Sequence, residues 1–365
     1  MNLFQTFLKP ALFTLDPEAA HNASIKALKS GLLPSCAAIN DPRLVQSIGG
    51  LNFPNPLGLA AGYDKNAEVP DAVLKLGFGF TEIGTITPRA QTGNPKPRMF
   101  RLVNDQGVIN RLGFNNAGHD AALKRLEVRK ENTGIVGINI GANKDSQDFT
   151  ADYETGIKNF AHLANYFTVN ISSPNTPGLR NLQTAQSLTL LLERIFIALD
   201  ASGVKNKPPV FLKLAPDLIS KDIKSIAKVV NKSSLSGLMV SNTTLARNGL
   251  LDTKTAEQQG GLSGRPLFER STIVLARFAK VISKDIPLIG IGGIDSAETA
   301  WQKMEAGASL LQLYSGMIYN GPGLPNKIIK GLTKRLDQEG ISHINDIVGT
   351  KTDVWAKKKL PEELG

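Results

Sequence analysis

From about residue 55 the chain repeats one pattern: a short, almost wholly apolar run, a polar or glycine-rich exit, then a helical stretch with one apolar stripe. The runs are Pro56–Ala60, Phe80–Gly84, Ile135–Ile140, Phe167–Ile171, Val210–Leu214, Gly237–Ser241, Pro287–Ile291 and Leu310–Leu313. A strand that is apolar at consecutive rather than alternate positions must be covered on both faces, which is the condition of a parallel sheet wrapped by helices. The intervening segments supply that cover: Ser187–Ala201 aligns Leu188, Leu191, Leu192, Ile195 and Leu199, and Lys221–Asn231 aligns Ile223, Ile226 and Val230. Eight such units predict an α/β fold closed into a (β/α)₈ TIM barrel. A doubly wound sheet is the competing fold, but it opens on a glycine-rich turn that Gly58-Leu59-Ala60-Ala61-Gly62 does not match.

Residues 1–40 read as a helical extension, residues 41–340 as the barrel, and residues 341–365 as a tail without a functional reading. In the extension Leu3, Phe4, Phe7 and Leu8 form an apolar face before Pro10, continued by Leu12, Phe13 and Leu15. Asp16-Pro17 then starts a helix, with aspartate as N-cap and proline at the first helical position. That helix places His21, Ile25, Leu28 and Leu32 on one face and Lys26 and Lys29 off it. The segment is either a hairpin docked as extra core or a lid over an apolar ligand that also dips into a membrane surface. No window holds the roughly 18 uninterrupted apolar residues of a membrane span. Lys9-Pro10 also breaks the apolar run of a signal peptide, so any membrane contact is expected to be peripheral. The 42 Lys and Arg exceed the 32 Asp and Glu by 10, but no basic run is interleaved with aromatics, so nucleic acid is not an expected partner. Cys36 is the only cysteine, and His21, His119, His162 and His343 show no metal-ligand spacing; neither an internal disulfide nor a protein-ligated metal is expected.

In a barrel the chemistry gathers at the carboxyl ends of the strands. Here those exits read Ala61-Gly62-Tyr63-Asp64-Lys65-Asn66, Thr85, Asn139, Asn170-Ile171-Ser172-Ser173-Pro174-Asn175-Thr176, Lys213, Ser241-Asn242-Thr243-Thr244, Gly290-Ile291-Gly292-Gly293 and Tyr314-Ser315-Gly316. The serine loop is the densest: two amides able to pin a planar polar substrate flank a serine, and Pro174 stiffens the turn. Glycine-rich turns after the seventh and eighth strands form the usual barrel phosphate site, because bare N–H groups approach an anion closely. A phosphate-bearing cofactor is therefore expected. Lys65 and Lys213 emerge from apolar surroundings near the barrel mouth, where a cation can face developing negative charge; a desolvated Lys213 would also suit Schiff-base chemistry. Asn110, Asn139, Asn170, Asn175 and Asn242 resemble a bed for a planar, imide-rich ring. Serine is a poor base, so Ser173 removes a proton only with a relay to solvent or from a strongly acidified C–H. No histidine lies beside it in sequence to suggest a hydrolase triad.

Several separated motifs together resemble the dihydroorotate dehydrogenases of the quinone-dependent, membrane-associated class 2 type. They are Ala60-Ala61-Gly62-Tyr63-Asp64-Lys65, Gly93-Asn94-Pro95-Lys96-Pro97-Arg98, Asn110-Arg111-Leu112-Gly113-Phe114-Asn115, Asn170 to Arg180, Gly260-Gly261-Leu262-Ser263-Gly264-Arg265-Pro266-Leu267 and Gly292-Gly293. The resemblance runs from about Asp16 to Tyr319. It implies a barrel that binds FMN and oxidises (S)-dihydroorotate to orotate, the fourth step of pyrimidine synthesis. It further implies a membrane quinone as electron acceptor, a peripheral location on the cytoplasmic side of the inner membrane if the source is bacterial, and no obligatory protein subunit.

By the same resemblance Ser173 takes the C5 proton while the C6 hydride passes to flavin N5; class 1 relatives use cysteine there and lack the N-terminal extension. Lys65, Asn110, Asn170, Asn175, Asn242 and Thr243 would hold dihydroorotate, helped by Arg111, Leu112, Gly113 and Phe114. Ala61, Gly62, Tyr63, Asp64, Lys65, Thr85, Asn139, Asn170, Lys213, Ser241, Gly264, Gly293, Tyr314 and Ser315 would hold FMN, with Lys213 as the cation beside the anionic reduced flavin. Thr176 and Phe114 would shape the proton exit, and His21 and Arg101 would orient the quinone carbonyls. Ser241 departs from the threonine of many relatives, a change that matters little if the contact is its backbone carbonyl. A related flavin barrel that uses fumarate or NAD⁺ as acceptor, and a Lys213-dependent lyase or a non-catalytic phosphate-binding barrel, are the alternatives.

Overall fold

The computed structural model describes residues 4–31, 39–130 and 132–363; Leu3, Leu32 and Cys36 lie outside them. Eight parallel strands close into a barrel, as the run of doubly covered apolar segments requires. They are β1 (Leu57–Leu59), β2 (Phe80–Ile86), β3 (Ile135–Ile140), β4 (Tyr166–Asn170), β5 (Val210–Leu214), β6 (Gly237–Val240), β7 (Leu288–Ile291) and β8 (Ala308–Leu313), paired in chain order with β8 against β1. This closure excludes the doubly wound sheet. The helices Ala185–Asp200 and Ser220–Val230 bury the expected stripes, Leu188 to Leu199 on one and Ile223, Ile226 and Val230 on the other.

The barrel interior is layered. At its amino end Phe53, from the antiparallel hairpin Gln46–Ile48 and Leu51–Phe53, packs edge-on against Phe80 with ring centroids 5.0 Å apart, beside Tyr166 and Phe211. Above this apolar plug sits Glu82, fully buried. It accepts hydrogen bonds from Asn139 at 2.7 Å, Gln312 at 2.8 Å, Thr168 at 2.9 Å and Tyr166 at 3.2 Å. The carboxyl end above it is open.

Two excursions roof that end. Met99–Leu102, Gly107–Asn110 and Gly261–Gly264 form a three-stranded antiparallel sheet that joins the loop after β2 to the loop after β6. At the N-terminus α1 (Lys9–Thr14) leads into α2 (Pro17–Lys29), which starts where expected: Asp16 Oδ1 accepts the N–H groups of Glu18 at 2.9 Å and Ala19 at 3.1 Å. A buried, two-pronged ion pair between Glu18 and Arg98, at 2.6 and 3.0 Å, pins α2 to the roof. Leu28 is buried and Ile25 packs against the core, whereas Phe7, Leu8 and Leu15 are exposed. The C-terminal segment, unread in sequence, packs on the barrel: Trp355 meets Phe268 edge-on at 6.0 Å, and Glu362 and Glu363 pair with Arg270 and Arg277.

Candidate active site

A cavity of about 1320 Å³, open mouth included, fills the carboxyl end of the barrel. Ser173 and most of the expected ligand residues line it together. On the substrate side these are Lys65, Asn110, Leu112, Gly113, Phe114, Asn170, Asn175, Asn242 and Thr243. On the cofactor side they are Ala61, Gly62, Thr85, Lys213, Ser241, Gly264, Gly293, Tyr314 and Ser315. Six expected residues lie off the lining. Asn139 is one layer below, where its Oδ1 accepts from Thr85 at 2.5 Å and from Asn170 at 3.2 Å. The buried Asp64 carboxylate accepts the N–H groups of Glu68 and Val69, each at 2.8 Å, and so shapes its own loop. Tyr63 turns toward α2. The Arg111 guanidinium braces the roof, bonding Gln258, the Gln259 carbonyl and the Pro97 carbonyl over the Phe100 ring. His21 and Arg101 belong to the N-terminal flank described below.

The serine loop is held from every side. Tyr153 donates to the Asn170 carbonyl at 2.7 Å, and the Asn170 amide donates to Thr85 at 3.0 Å. Ser172 Oγ donates to Asn170 at 2.7 Å and accepts from Asn242 at 2.9 Å, so one hydroxyl links the asparagines that follow β4 and β6. Two residues given no role in the sequence reading complete the brace. Arg180 donates to the carbonyls of Ser172 at 3.0 Å and Thr243 at 3.2 Å and pairs with Asp217 at 3.0 Å, and Asp217 also accepts from the Thr244 hydroxyl. Inside this frame Ser173 is buried; its Oγ accepts the Asn175 N–H at 3.2 Å, and no acceptor among the described residues takes its proton. Nearby Thr176 Oγ1 is buried without a partner among the described residues.

Two cations face the cavity without a side-chain hydrogen bond among the described residues. Burial pushes Lys65 down to about 8, against the opposing pull of Glu18. Burial also lowers Lys213, partly offset by the Glu82 carboxylate beneath it. Backbone geometry at the exit of β7 favours an anion. Gly292 and Gly293 sit at φ +106° and +74°, and a Cβ at Gly293 would fall 2.4 Å from Phe268 Cβ, so glycine is required there. Both glycines line the cavity beside Ser315, whose hydroxyl lies 2.8 Å from that of Ser263. The Gly292-Gly293 turn beside Ser315, on the same lining as the buried Lys213, fits the phosphate and ring of a flavin nucleotide.

The N-terminal flank is aromatic. Tyr314, on the cavity wall, reaches His21 Nδ1 with its hydroxyl at 3.1 Å. Tyr63 stands edge-on to both rings, at 5.3 Å from His21 and 5.5 Å from Tyr314, and shares a 3.0 Å hydrogen bond with Ser24. Burial first, and the Lys65 charge second, push His21 down to about 3, so its imidazole is neutral near pH 7. Arg101 does not bond His21 among the described contacts. It stacks on Phe13 at 4.7 Å and donates to the carbonyls of Leu12, Phe13 and Leu15, tying down the end of α1.

The family model described as dihydroorotate dehydrogenase matches residues 43–336. A protein of Rhizobium rhizogenes named dihydroorotate dehydrogenase (quinone) is 58% identical over 359 residues, covering 98% of this chain and 99% of that one. One of the same name from Brucella melitensis is 58% identical over 360 residues, with the same coverage. Among solved structures, DHODH from Eimeria tenella in complex with ferulenol superposes with a TM-score of 0.88 at 39% identity, covering 92% of this chain and 96% of that one.

Proposed function

The chain belongs to the dihydroorotate dehydrogenase family, and from that premise we propose that its cavity binds FMN and dihydroorotate together, with Ser173 as the base. The enzyme oxidises dihydroorotate to orotate in pyrimidine biosynthesis, with a quinone as electron acceptor. The observation that carries the site assignment is the Ser173 hydroxyl: buried in the cavity, its oxygen supported by the Asn175 N–H and its proton not held by any described residue. FMN, held by the cofactor-side residues of the lining, would supply a two-electron acceptor that links dihydroorotate oxidation to a quinone.

The chain's own residues do the rest. Ser173 Oγ takes the C5 proton, and the Asn175 N–H offsets the negative charge that makes a serine oxygen a costly base. Ser173 gives up its own hydroxyl proton as it takes the C5 proton, and Thr176 Oγ1 is the next stop for the released proton on its way to solvent. Asn110, Asn170, Asn175 and Asn242 each carry both an acceptor and donors, which matches the alternating groups of a cyclic imide. Lys65 meets the substrate carboxylate, and Lys213 meets the charge that accumulates on the cofactor. Gly292 and Gly293 offer their N–H groups to the phosphate.

On the other flank, His21 and Tyr314 give a quinone a neutral hydrogen-bonding pair beside the Tyr63 ring, and Arg101 ties down the end of α1. No helix of the described residues is long and apolar enough to cross a membrane, so we assign a peripheral association through the exposed Phe7, Leu8 and Leu15.

Anaerobic visible spectra test the reading. A yellow protein should bleach with dihydroorotate and recover with a soluble ubiquinone analogue. Recovery only with fumarate or NAD⁺ would overturn the quinone assignment, and a colourless folded protein trapped by borohydride with a carbonyl substrate would restore the Lys213 lyase.

A further inference from the structure

Lys303, on the helix Ala297–Glu305, is wholly buried and has no part in the chemistry above. Its Nζ donates to Ser271 Oγ at 2.6 Å and lies 4.9 Å from the centre of the Phe268 ring, with no carboxylate in ion-pair contact among the described residues. Burial alone pushes the amine well below its usual range. An ammonium buried without an anion is among the costliest groups a fold can hold, and a methionine would fill the same space without that penalty.

The surroundings indicate where an anion would sit. Ser271 Oγ lies 3.2 Å from the Gly292 carbonyl. The lysine stem backs the same turn, with Cγ and Cδ only 2.6 and 2.8 Å from where a Cβ at Gly290 would stand. A Cβ at Gly292 would come 2.9 Å from Ser271 Oγ, and one at Gly293 would come 2.6 Å from the Phe268 nitrogen. Lys303, Ser271 and Phe268 thus form the rear wall of a turn whose front, at Gly292 and Gly293, lines the cavity.

We propose that Lys303 is a positioning residue for the flavin phosphate: from behind the Gly292-Gly293 turn it sets the turn through Ser271 and supplies the buried positive charge that a phosphate dianion in front requires. The proposal rests on the FMN reading of the cavity. A phosphate monoester carries close to two negative charges near neutral pH. In a low-dielectric wall that charge stabilises the protonated amine across one hydroxyl and one peptide group.

The test separates phosphate binding from packing. Full-length wild-type protein, Lys303→Met and Ser271→Ala are each brought to equilibrium by dialysis against graded FMN and, separately, graded riboflavin, which lacks the phosphate. Lys303→Met should lose FMN affinity by about tenfold or more, the scale of a hydrogen-bonded charge, while riboflavin affinity stays within about twofold. Ser271→Ala, which removes only one oxygen, should shift FMN affinity in the same direction by less and keeps the question open to measurement if the lysine variant misfolds. Equal loss of both flavins would make Lys303 a packing residue, and unchanged FMN affinity in both variants would leave it no role at the turn; either result overturns the proposal. Wild-type protein that binds riboflavin as tightly as FMN would instead overturn the phosphate reading of the turn itself, and the proposal with it.

Discussion

The two flanks of the cavity are built from opposed chemistry. The serine flank is a lattice of amides and hydroxyls, in which Asn170, Ser172 and Asn242 bond one another and Arg180 ties their loops together. The N-terminal flank is a cluster of His21, Tyr63 and Tyr314 rings with a single hydroxyl-to-imidazole contact, of which Tyr314 lines the cavity and the other two stand behind it. A polar lattice can fix a planar anion and carry away a proton; a cluster of aromatic rings offers flat apolar surface with one polar edge, which suits an aromatic redox partner. On the proposed assignment, the two half-reactions would be separated by the chemistry of the wall that substrate and acceptor each meet.

Four changes would break or sharpen that contrast. The largest effect belongs to Ser173→Ala. Loss of the base should slow flavin reduction by dihydroorotate about 10²–10⁴-fold in stopped-flow, with FMN still bound and reoxidation by quinone unchanged. Next is Glu18→Gln, which strands the buried Arg98 guanidinium and so detaches α2 from the roof. Breaking such a pair costs about 3 kcal/mol, read as a lowered midpoint in denaturant, and quinone turnover should suffer before reduction does.

The third change concerns pH. Lys65 titrates near 8 in the folded protein, below its ordinary 10.5, so its cation is lost as pH rises through 8. Orotate affinity should fall across that point by up to about tenfold per pH unit. Stability should move the other way. Between 8 and 10.5 the unfolded chain holds the proton that folded Lys65 has released, so stability rises with pH through that window. Both trends should vanish in Lys65→Met, checked by titration calorimetry and denaturant midpoints. The smallest effect is His21→Leu, which removes one neutral hydrogen bond. Reoxidation by quinone should slow about 3–10-fold, with reduction by dihydroorotate unaffected.

The barrel was readable because its signal is local: each strand declares itself by an unbroken apolar run and each exit by the polar residues just after it. What escaped reading depends on distant pairing. The antiparallel roof joins Asn110 to Gly261, and neither segment carries a periodicity of its own. Asp217 reaches the serine loop only through Arg180, and Glu82 lies within an apolar strand where a lone carboxylate reads as an interruption rather than as the floor of a site. Within the motif Ala61 to Lys65, chain proximity also misleads. Ala61, Gly62 and Lys65 line the cavity, while Tyr63 points to α2 and Asp64 closes its own loop. Neighbours in a turn point in different directions, so a motif read as a block overstates the contacts of its members.

The most direct test of the two-flank account is to measure both half-reactions separately, under anaerobic stopped-flow conditions, in Ser173→Ala and His21→Leu. A crossed result is expected: the first variant slow only in bleaching by dihydroorotate, the second slow only in recovery with a ubiquinone analogue. If each variant slowed both half-reactions alike, the two flanks would be one site, and the division of labour argued from their chemistry would be wrong.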